Sequence, residues 1–190
     1  FIGNCIQDSF FENQKNINFS KKKYITYLSY KGWFKKSIES ALLSEKLAGA
    51  LNLSVIRIGK DFSKKEIKTI SYSNLRPNQI REVFDKTKFV VSLSHYEGLP
   101  LFIIEALSRG CIAILSNIKA HNEIFKKYPN QVLLVPHAPI MLSEINDYLK
   151  QLKNLNFNFD IKNFNEYKTE KFVKRSIQKL DFILTNKTND

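Results

Sequence analysis

Two glutamates eight residues apart, Glu97 and Glu105, are the side chains in this sequence that most suggest chemistry. Glu105 stands in the almost wholly apolar stretch Leu99–Leu107, which is typical of a largely buried helix. A buried carboxylate without a partner is unfavourable by several kcal/mol, so Glu105 needs a cation or the hydroxyl groups of a ligand. Glu97 precedes the same helix, whose dipole favours an ionised carboxylate. On the pattern alone, a ligand site and two ordinary structural charges are equally good interpretations.

The segments on either side of Glu97 place it in a loop between a strand and a helix. Phe89–Leu93 is apolar and β-branched, which predicts a buried parallel strand. Leu99–Arg109 predicts a helix with Pro100 in its first turn and Gly110 as its stop. Open parallel sheets bind ligands beyond the carboxyl ends of their strands, and backbone N–H groups at a helix start favour anions. The loop is therefore a candidate ligand site.

Further strands and helices alternate along the rest of the chain. Strands are predicted at Tyr24–Ser29, Leu53–Ile58, Lys68–Tyr72, Cys111–Leu115 and Gln131–Pro136. A helix is predicted from Phe34 to about Ala50, with Phe34, Ile38, Ala41 and Leu42 as its buried stripe. Another is predicted from Pro139 to about Leu152. This order predicts an α/β fold, a Rossmann-like doubly wound parallel sheet with helices on both faces.

Length and composition fit one domain. The 190 residues, 43% of them hydrophobic and 15 of them Phe, are enough for a full core. We expect an opening linker over residues 1–23, a Rossmann-like core over 24–152, and a linker with a C-terminal helix over 153–190. The linker proper is predicted at Lys153–Asn165. Of the two cysteines, Cys111 is expected to be a buried free thiol, and a reducing compartment is favoured.

The charge is strongly positive but its pattern is not diagnostic. A net charge of +12 attracts nucleotide diphosphates, anionic lipid headgroups or nucleic acid. The lysine clusters are scattered and form no recognisable nucleic-acid module, so a solvated lysine-rich exterior is the simpler interpretation. No apolar run reaches the ~18 residues of a membrane-spanning helix.

One family is indicated by the central motif. Glu97-Gly98-Leu99-Pro100-Leu101, Glu105-Ala106-Leu107 and Gly110 together resemble the E-x7-E signature of retaining family 4 glycosyltransferases, which have the GT-B fold. The resemblance implies that the chain is the C-terminal, donor-binding half of such an enzyme. It also implies that an N-terminal domain, which carries most of the acceptor site, lies outside this chain.

The resemblance implies roles for individual residues. Glu105 would bind the ribose hydroxyls of a nucleotide sugar, and Glu97 would lie at the donor sugar. The turn formed by Gly98, Leu99, Pro100 and Leu101 would bind the donor, with its N–H groups meeting the charge of the leaving phosphate.

The family's diphosphate-binding Arg and Lys fall at a junction that differs here. Lys31-Gly32 matches the family's Lys-Gly, and Ser29 stands about where its Arg is expected. Lys31 is therefore the predicted cation, acting alone or with a second charge from Lys35 or Lys36.

The function implied is metal-independent transfer of a sugar, with retention, from a nucleotide-diphosphate sugar to an acceptor in polysaccharide, lipopolysaccharide or glycan synthesis. The sequence has no Asp-x-Asp pair, the metal-holding motif of the other main glycosyltransferase fold, so no cofactor or metal is expected. A cytoplasmic location is expected, with contact to an anionic membrane surface through the acceptor and no nucleic-acid partner. The alternatives are another GT-B enzyme, such as a nucleotide-sugar epimerase or a phosphorylase, and a non-catalytic basic module for anionic lipid or nucleic acid.

Overall fold

Six parallel strands form the central sheet of the fold, which we describe from a computed structural model of the chain. The structure describes residues 6–12, 18–60, 69–136, 144–155, 157, 159, 161–171, 173, 174, 177 and 178. The strands are β1 (Tyr24–Ser29), β2 (Ser54–Gly59), β3 (Thr69–Tyr72), β4 (Thr87–Ser92), β5 (Ile112–Ser116) and β6 (Val132–Val135). Their order in the sheet is β3-β2-β1-β4-β5-β6, and every adjacent pair is parallel.

Helices cover both faces of this sheet, as the alternating sequence predicts. The α-helices of the described residues are α1 (Ser37–Leu51), α2 (Pro77–Lys86), α3 (Leu101–Ser108), α4 (Lys119–Lys127) and α5 (Ile145–Asn154). The core on one face takes its helical side chains from α1 and α5, and the core on the other face takes them from α2, α3 and α4. None of these helices is long and apolar enough to span a bilayer. The predicted Rossmann-like, doubly wound architecture is confirmed.

The strands are buried because both faces are covered. All five residues of β5, Ile-Ala-Ile-Leu-Ser, are buried, which is typical of a parallel strand between two helical layers. The predicted position of β1 agrees with the structure at both ends. Strand β3, by contrast, lies at the sheet edge and is mostly exposed.

The predicted stripe of α1 is wrong at two of its four residues, Phe34 and Ile38. Phe34 lies outside the helix, in a single 3₁₀ turn at Trp33–Lys35, and Ile38 is 48% exposed. The face that packs on the sheet is instead formed by Ser37, Ser40, Ala41, Leu43, Ser44, Leu47 and Ala48. The chain changes direction at Lys36, whose φ of 49° is left-handed, and this turn resets the phase of the helix that follows. The prediction of one continuous helix from Phe34 therefore placed the wrong side chains in the core.

Part of the predicted linker at Lys153–Asn165 belongs to the core. Ile161–Tyr167 forms a 3₁₀ helix, in which Phe164 is fully buried and stacks on Tyr128 with ring centroids 4.6 Å apart. The 3₁₀ helix also accepts a backbone hydrogen bond, from Ile6 N–H to Tyr167 O at 3.1 Å. Polar residues separate its aromatic side chains along the sequence, so the segment lacks a regular apolar spacing and its packing was not predicted. The helix predicted from Pro139 is described only from Ile145 onwards, because residues 137–143 lie outside the described ranges.

A buried ammonium joins β1 to the helices on one face. Lys22 is 2% exposed, and its Nζ donates hydrogen bonds to Phe84 O at 2.7 Å, Arg109 O at 2.9 Å and Asp85 O at 3.3 Å. These carbonyls close the carboxyl ends of α2 and α3, where backbone acceptors lack helical partners. Burial lowers the pKa of Lys22, and the three acceptors compensate the lost hydration. Cys111 beside it is a fully buried free thiol, as predicted.

Candidate functional site

The candidate site lies where the order of the strands reverses. The chain adds β2 and β3 on one side of β1, then returns to add β4, β5 and β6 on the other side. The loops that follow β1 and β4 consequently leave adjacent strand ends and diverge to opposite faces of the sheet. Such a topological switch point is where doubly wound sheets bind ligands. Two adjoining cavities open there, and each contains one of the two glutamates.

The first, the Glu97 cavity, has a volume of about 220 Å³. Its polar lining consists of Lys35, Ser40, Ser92, Ser94 and Glu97. The Glu97 carboxylate accepts two hydrogen bonds from Lys35 Nζ, at 2.7 and 2.8 Å. The Glu97 side chain is only 13% exposed, so this charge-assisted contact is stronger than a surface ion pair.

The loop after β1 is shaped to aim Lys35 at Glu97. The 3₁₀ turn ends at Lys35, and the left-handed Lys36 redirects the chain into α1. The Ser37 hydroxyl donates to Tyr30 O and accepts from Tyr30 N–H, both at 3.1 Å, which closes the loop upon itself. Lys31, the predicted cation, is not beside Glu97: it is exposed and lies at the rim of the other cavity.

The second, the Glu105 cavity, is larger, with a volume of about 540 Å³. Its lining is apolar on the side of Ile58, Leu75, Ile80 and Phe102, and polar at Ser29, Lys31, Lys60 and Asn74. Gly59 has a φ of +111°, and a Cβ there would lie 2.1 Å from Ser29 O. Only glycine allows β1 and β2 to end this close together, because any side chain would collide with the backbone. Ser29, which is 3% exposed, therefore forms a wall of the Glu105 cavity, and its backbone is tightly held.

Glu105 is half-buried in this cavity and its carboxylate lacks a polar partner among the residues that the structure describes. Burial raises the pKa of the Glu105 carboxyl to about 7. No described lysine or arginine forms a salt bridge with Glu105, so an ion pair does not account for this carboxylate. What remains is a carboxylate that faces a cavity and is poised to accept hydrogen bonds from a ligand.

Leu99, Pro100 and Leu101 line the Glu97 cavity, but the turn from Gly98 to Leu101 offers fewer N–H donors than expected. Helix α3 begins at Leu101, two residues later than predicted, with Pro100 as its N-cap. Pro100 has no N–H, and the Leu101 N–H donates to Leu99 O at 2.9 Å. Of the predicted anion-binding turn, the N–H groups of Gly98 and Leu99 remain as candidate donors.

Leu28, Tyr30 and Phe102 are shared by the two cavities and separate their polar ends. Glu97 and Glu105 consequently do not form a pair of carboxylates acting on one atom. One carboxylate is neutralised by a lysine, and the other faces its cavity alone.

The sequence analysis missed a buried histidine near the site. His121, on α4, is fully buried, and its Nδ1 lies 2.9 Å from Ser116 O at the carboxyl end of β5. Burial lowers the pKa of His121, which favours the neutral ring. The Ser116 hydroxyl donates in turn to Ser94 O at 2.6 Å, so the histidine supports the wall of the Glu97 cavity. Within the described ranges, no group of three or more His, Cys, Asp or Glu could hold a metal ion.

The comparison with known families identifies the class of the protein. The family described as "Glycosyl transferases group 1" matches residues 60–166, which is more than half of the chain. The chain therefore belongs to the group 1 glycosyl transferases. No curated protein sequence matches it.

Solved structures resemble the chain at low sequence identity. TarM matches with a TM-score of 0.65 and 20% identity over 98% of this chain and 37% of its own. A glycosyltransferase from Rickettsia africae matches with 0.66 and 15%, over 97% of this chain and 57% of its own. The pneumococcal O-GlcNAc transferase GtfA, in complex with UDP and GlcNAc, matches with 0.67 and 14%, over 86% of this chain and 36% of its own. The likeness supports the fold, and the chain spans between about a third and just over half of these proteins.

Proposed function

We propose that this chain is the donor-binding domain of a retaining, metal-independent glycosyltransferase similar to family 4. The proposal rests mainly on one observation: Glu97 and Glu105 lie in two adjoining cavities at the switch point of the sheet. Membership of the group 1 glycosyl transferases supports a sugar donor. We also propose that a further domain supplies the acceptor site, because the similar structures are considerably longer than this chain.

The larger cavity suits the nucleoside and the smaller one the sugar. A base fits the apolar wall of the Glu105 cavity, and the unpartnered Glu105 carboxylate can accept hydrogen bonds from both ribose hydroxyls. The serines and charged groups of the Glu97 cavity suit a ring that carries several hydroxyls. The diphosphate would then bridge the two cavities, within reach of lysines from the loop after β1.

We assign the main diphosphate cation to Lys35 and a secondary one to Lys31. Lys36 adopts a left-handed conformation that glycine favours, so the backbone of Lys35-Lys36 suits a Lys-Gly junction, as does that of Lys31-Gly32, where Gly32 has a φ of 153°. Lys35 also reaches the Glu97 cavity, whereas Lys31 lies at the rim of the other one. A bound diphosphate would share the Lys35 ammonium with Glu97.

The chemistry follows from these charges. The bond between the anomeric carbon and the phosphate oxygen breaks, and its electron pair leaves with the diphosphate. An acceptor hydroxyl oxygen forms the new bond to the anomeric carbon, and its proton passes to the leaving diphosphate. Lys35, Lys31 and the N–H groups of Gly98 and Leu99 stabilise that negative charge, which a divalent cation would otherwise have to meet. The Glu97 carboxylate stabilises the positive charge that develops on the sugar. Hexosyl transfer, a role in glycan synthesis and a cytoplasmic location belong to the same proposal.

Titration calorimetry with nucleoside diphosphates tests the assignment of Glu105. A carboxylate that accepts two ribose hydrogen bonds contributes about 1.5–3 kcal/mol, so Glu105→Ala should weaken binding by roughly ten- to a hundredfold. Glu82→Ala, at an exposed position on α2, is the matched control and should bind like the wild-type chain. Equal affinity of all three proteins would disprove the ribose role.

A further inference from the structure

Five large apolar side chains are exposed together at the carboxyl edge of the sheet, on the loops that follow β1 and β4 and at the start of α1. Their exposed fractions are 54% for Tyr30, 74% for Trp33, 36% for Phe34, 48% for Ile38 and 68% for Tyr96. Single exposed apolar residues are ordinary, whereas a contiguous group of large ones marks an interaction surface. We refer to these five residues as the apolar patch.

The members of the apolar patch contact one another around Trp33. The Trp33 ring meets Phe34 and Tyr96 edge-on, with ring centroids 6.3 and 6.1 Å apart. Tyr30, Trp33 and Ile38 line one open cavity of about 350 Å³. The patch is therefore one surface, and a partner that covers Trp33 also touches its neighbours.

The patch is formed before any partner arrives. The His95 N–H donates to Phe34 O at 2.7 Å, which joins the loop after β1 to the loop after β4. The Ser37 hydroxyl closes the first of these loops through its two hydrogen bonds with the Tyr30 backbone. Because these contacts hold the rings in place, the entropic cost of covering them is low.

The charge around the apolar patch is positive. Lys31 and Lys36 line its open cavity. The nearby acids are compensated, because Glu39 pairs with Lys36 at 2.8 Å and Glu97 pairs with Lys35. Lys31 is exposed and forms no salt bridge with a described acidic residue, and the whole chain has a net charge of +12. Such a surface attracts a partner that combines apolar groups with negative charge.

We propose that the apolar patch docks on a membrane surface that contains anionic lipids. Trp33 and Tyr96 enter the headgroup layer, and Lys31 meets the lipid phosphates. Tryptophan and tyrosine favour this layer because one part of each side chain is apolar and another forms hydrogen bonds. Buried apolar area and attraction to anionic lipid reinforce each other in membrane binding. The inference goes beyond the proposed function, since it does not depend on the ligands of Glu97 and Glu105.

A bilayer suits the patch better than a protein surface does. Protein interfaces are depleted of lysine at their centres, yet Lys31 and Lys36 line the same cavity as Trp33. A ring that is 74% exposed also stands clear of its surroundings. A protein partner needs a well-packed pocket to cover such a ring, whereas a fluid headgroup layer admits it without one.

Trp33 reports directly on docking, since it is the single tryptophan of the chain. We expect its emission to shift to shorter wavelength with vesicles of phosphatidylcholine and phosphatidylglycerol, and to be quenched when the phosphatidylcholine carries brominated acyl chains. Vesicles of phosphatidylcholine alone should bind more weakly. Tyr96→Ala keeps the reporter and should weaken vesicle binding about three- to tenfold. Tyr72→Ala, which removes an exposed tyrosine from the edge strand β3, should leave binding unchanged.

A matched pair of lysine substitutions separates docking of the patch from attraction by net charge alone. Lys31→Gln removes a charge beside Trp33 and should weaken binding to the phosphatidylglycerol vesicles about fivefold. Lys126→Gln removes the same charge from an exposed position in the last turn of α4, near the opposite edge of the sheet. It should weaken binding much less.

Four results with this chain would overturn the proposal. The first is no shift or no quenching with phosphatidylglycerol vesicles, and the second is equal binding by Tyr96→Ala and the wild-type chain. The third is an equal loss in Lys31→Gln and Lys126→Gln, which would mean attraction by net charge. The fourth is a shift that follows protein concentration without vesicles, which would assign the patch to a second copy of the chain.

The full-length protein provides the last check. Its co-sedimentation with the same vesicles should fall in Trp33→Ala and persist in Tyr72→Ala. Equal sedimentation of wild type and Trp33→Ala would mean that another part of the protein covers the patch, and the membrane proposal would fail.

Discussion

Glu97 and Glu105 belong to one motif and to one edge of the sheet, yet their surroundings are opposite. Glu97 is held by Lys35 at 2.7 Å, so its negative charge is compensated before any ligand arrives. Glu105 is partly buried with no described partner, and burial raises its pKa to about 7. The first site is preorganised for a charged ligand, and the second carries an electrostatic cost that a ligand can relieve.

This difference separates two ways of using a carboxylate. A compensated charge costs little to keep in the folded protein, and it can act only on a group that comes close enough to compete with its lysine. An uncompensated charge lowers the stability of the empty protein, and any hydroxyl pair that reaches it recovers the loss. We therefore expect substitutions at Glu97 to affect turnover and substitutions at Glu105 to affect affinity and stability.

The largest effect is expected from Glu97→Gln in the full-length protein. Loss of a preorganised charge at a developing charge typically lowers the rate by about a hundred- to a thousandfold, and we expect that loss in kcat for sugar transfer. Nucleoside diphosphate affinity should not fall, because the nucleoside is assigned to the other cavity and the variant leaves Lys35 free to meet the diphosphate. Glu39→Gln, which removes the partner of Lys36 in a comparable but more exposed ion pair, should retain activity. A decrease in kcat of less than tenfold for Glu97→Gln would mean that the two glutamates do not differ in this way.

A smaller effect is expected for Glu105→Gln. This substitution should increase the stability of the folded protein, whereas Glu97→Gln should lower its activity. The folded protein holds the Glu105 proton more tightly than the unfolded chain does, since the carboxyl pKa is raised from 4.5 to about 7. The stability that this group contributes is therefore complete below about pH 4.5 and is lost as the pH rises through about 7. The neutral variant should be more stable than the wild type at pH 8, on the order of 2 kcal/mol, and close to it at pH 5.

Urea denaturation at the two pH values measures this difference, with the exposed Glu82→Gln as the control that should show none. A stability difference that is the same at pH 5 and pH 8 would mean that Glu105 is not the titrating group.

The smallest effect concerns the turn that aims Lys35. Lys36 holds a φ of 49° and a ψ of 43°, a conformation that is unfavourable for residues with a Cβ by roughly 1 kcal/mol. Lys36→Gly should therefore raise the free energy of unfolding by about 0.5 kcal/mol, after loss of the exposed pair with Glu39. Lys46→Gly, at an exposed position inside α1, should lower it by about 1 kcal/mol. Thermal or urea unfolding distinguishes the two, and destabilisation by both would contradict the turn argument.

The sequence predicts the sheet better than the loops. Strands such as β1 and β5 are continuous apolar runs, and this pattern persists because both faces are covered. The turn at Lys36 has no such signature, since lysine rarely adopts a left-handed conformation, and the buried face of α1 was misassigned as a result. The 3₁₀ helix around Phe164 was not predicted, because a helix with three residues per turn lacks the 3.6-residue spacing that identifies buried α-helices.

For the candidate site, sequence identified the two glutamates but not their environments. Spacing along a helix shows that Glu97 and Glu105 lie near one strand end, and it contains no information on which lysine reaches which carboxylate. Lys31 matched the expected motif, whereas Lys35 makes the contact, because a single turn of 3₁₀ helix separates them. Loops combine residues from distant segments, and such combinations are fixed only by packing.

Lys22 makes the assembly of the amino-terminal edge of the sheet, opposite the two cavities, cooperative. Its carbonyl acceptors come from segments 62 to 87 residues further along the chain, at the ends of α2 and α3. An ammonium that left water before these segments docked would meet no acceptor, at a cost of several kcal/mol. Partly folded states in which β1 is paired but α3 is absent are therefore disfavoured. We expect β1, β4 and the helices packed behind them to fold and open as one cooperative unit.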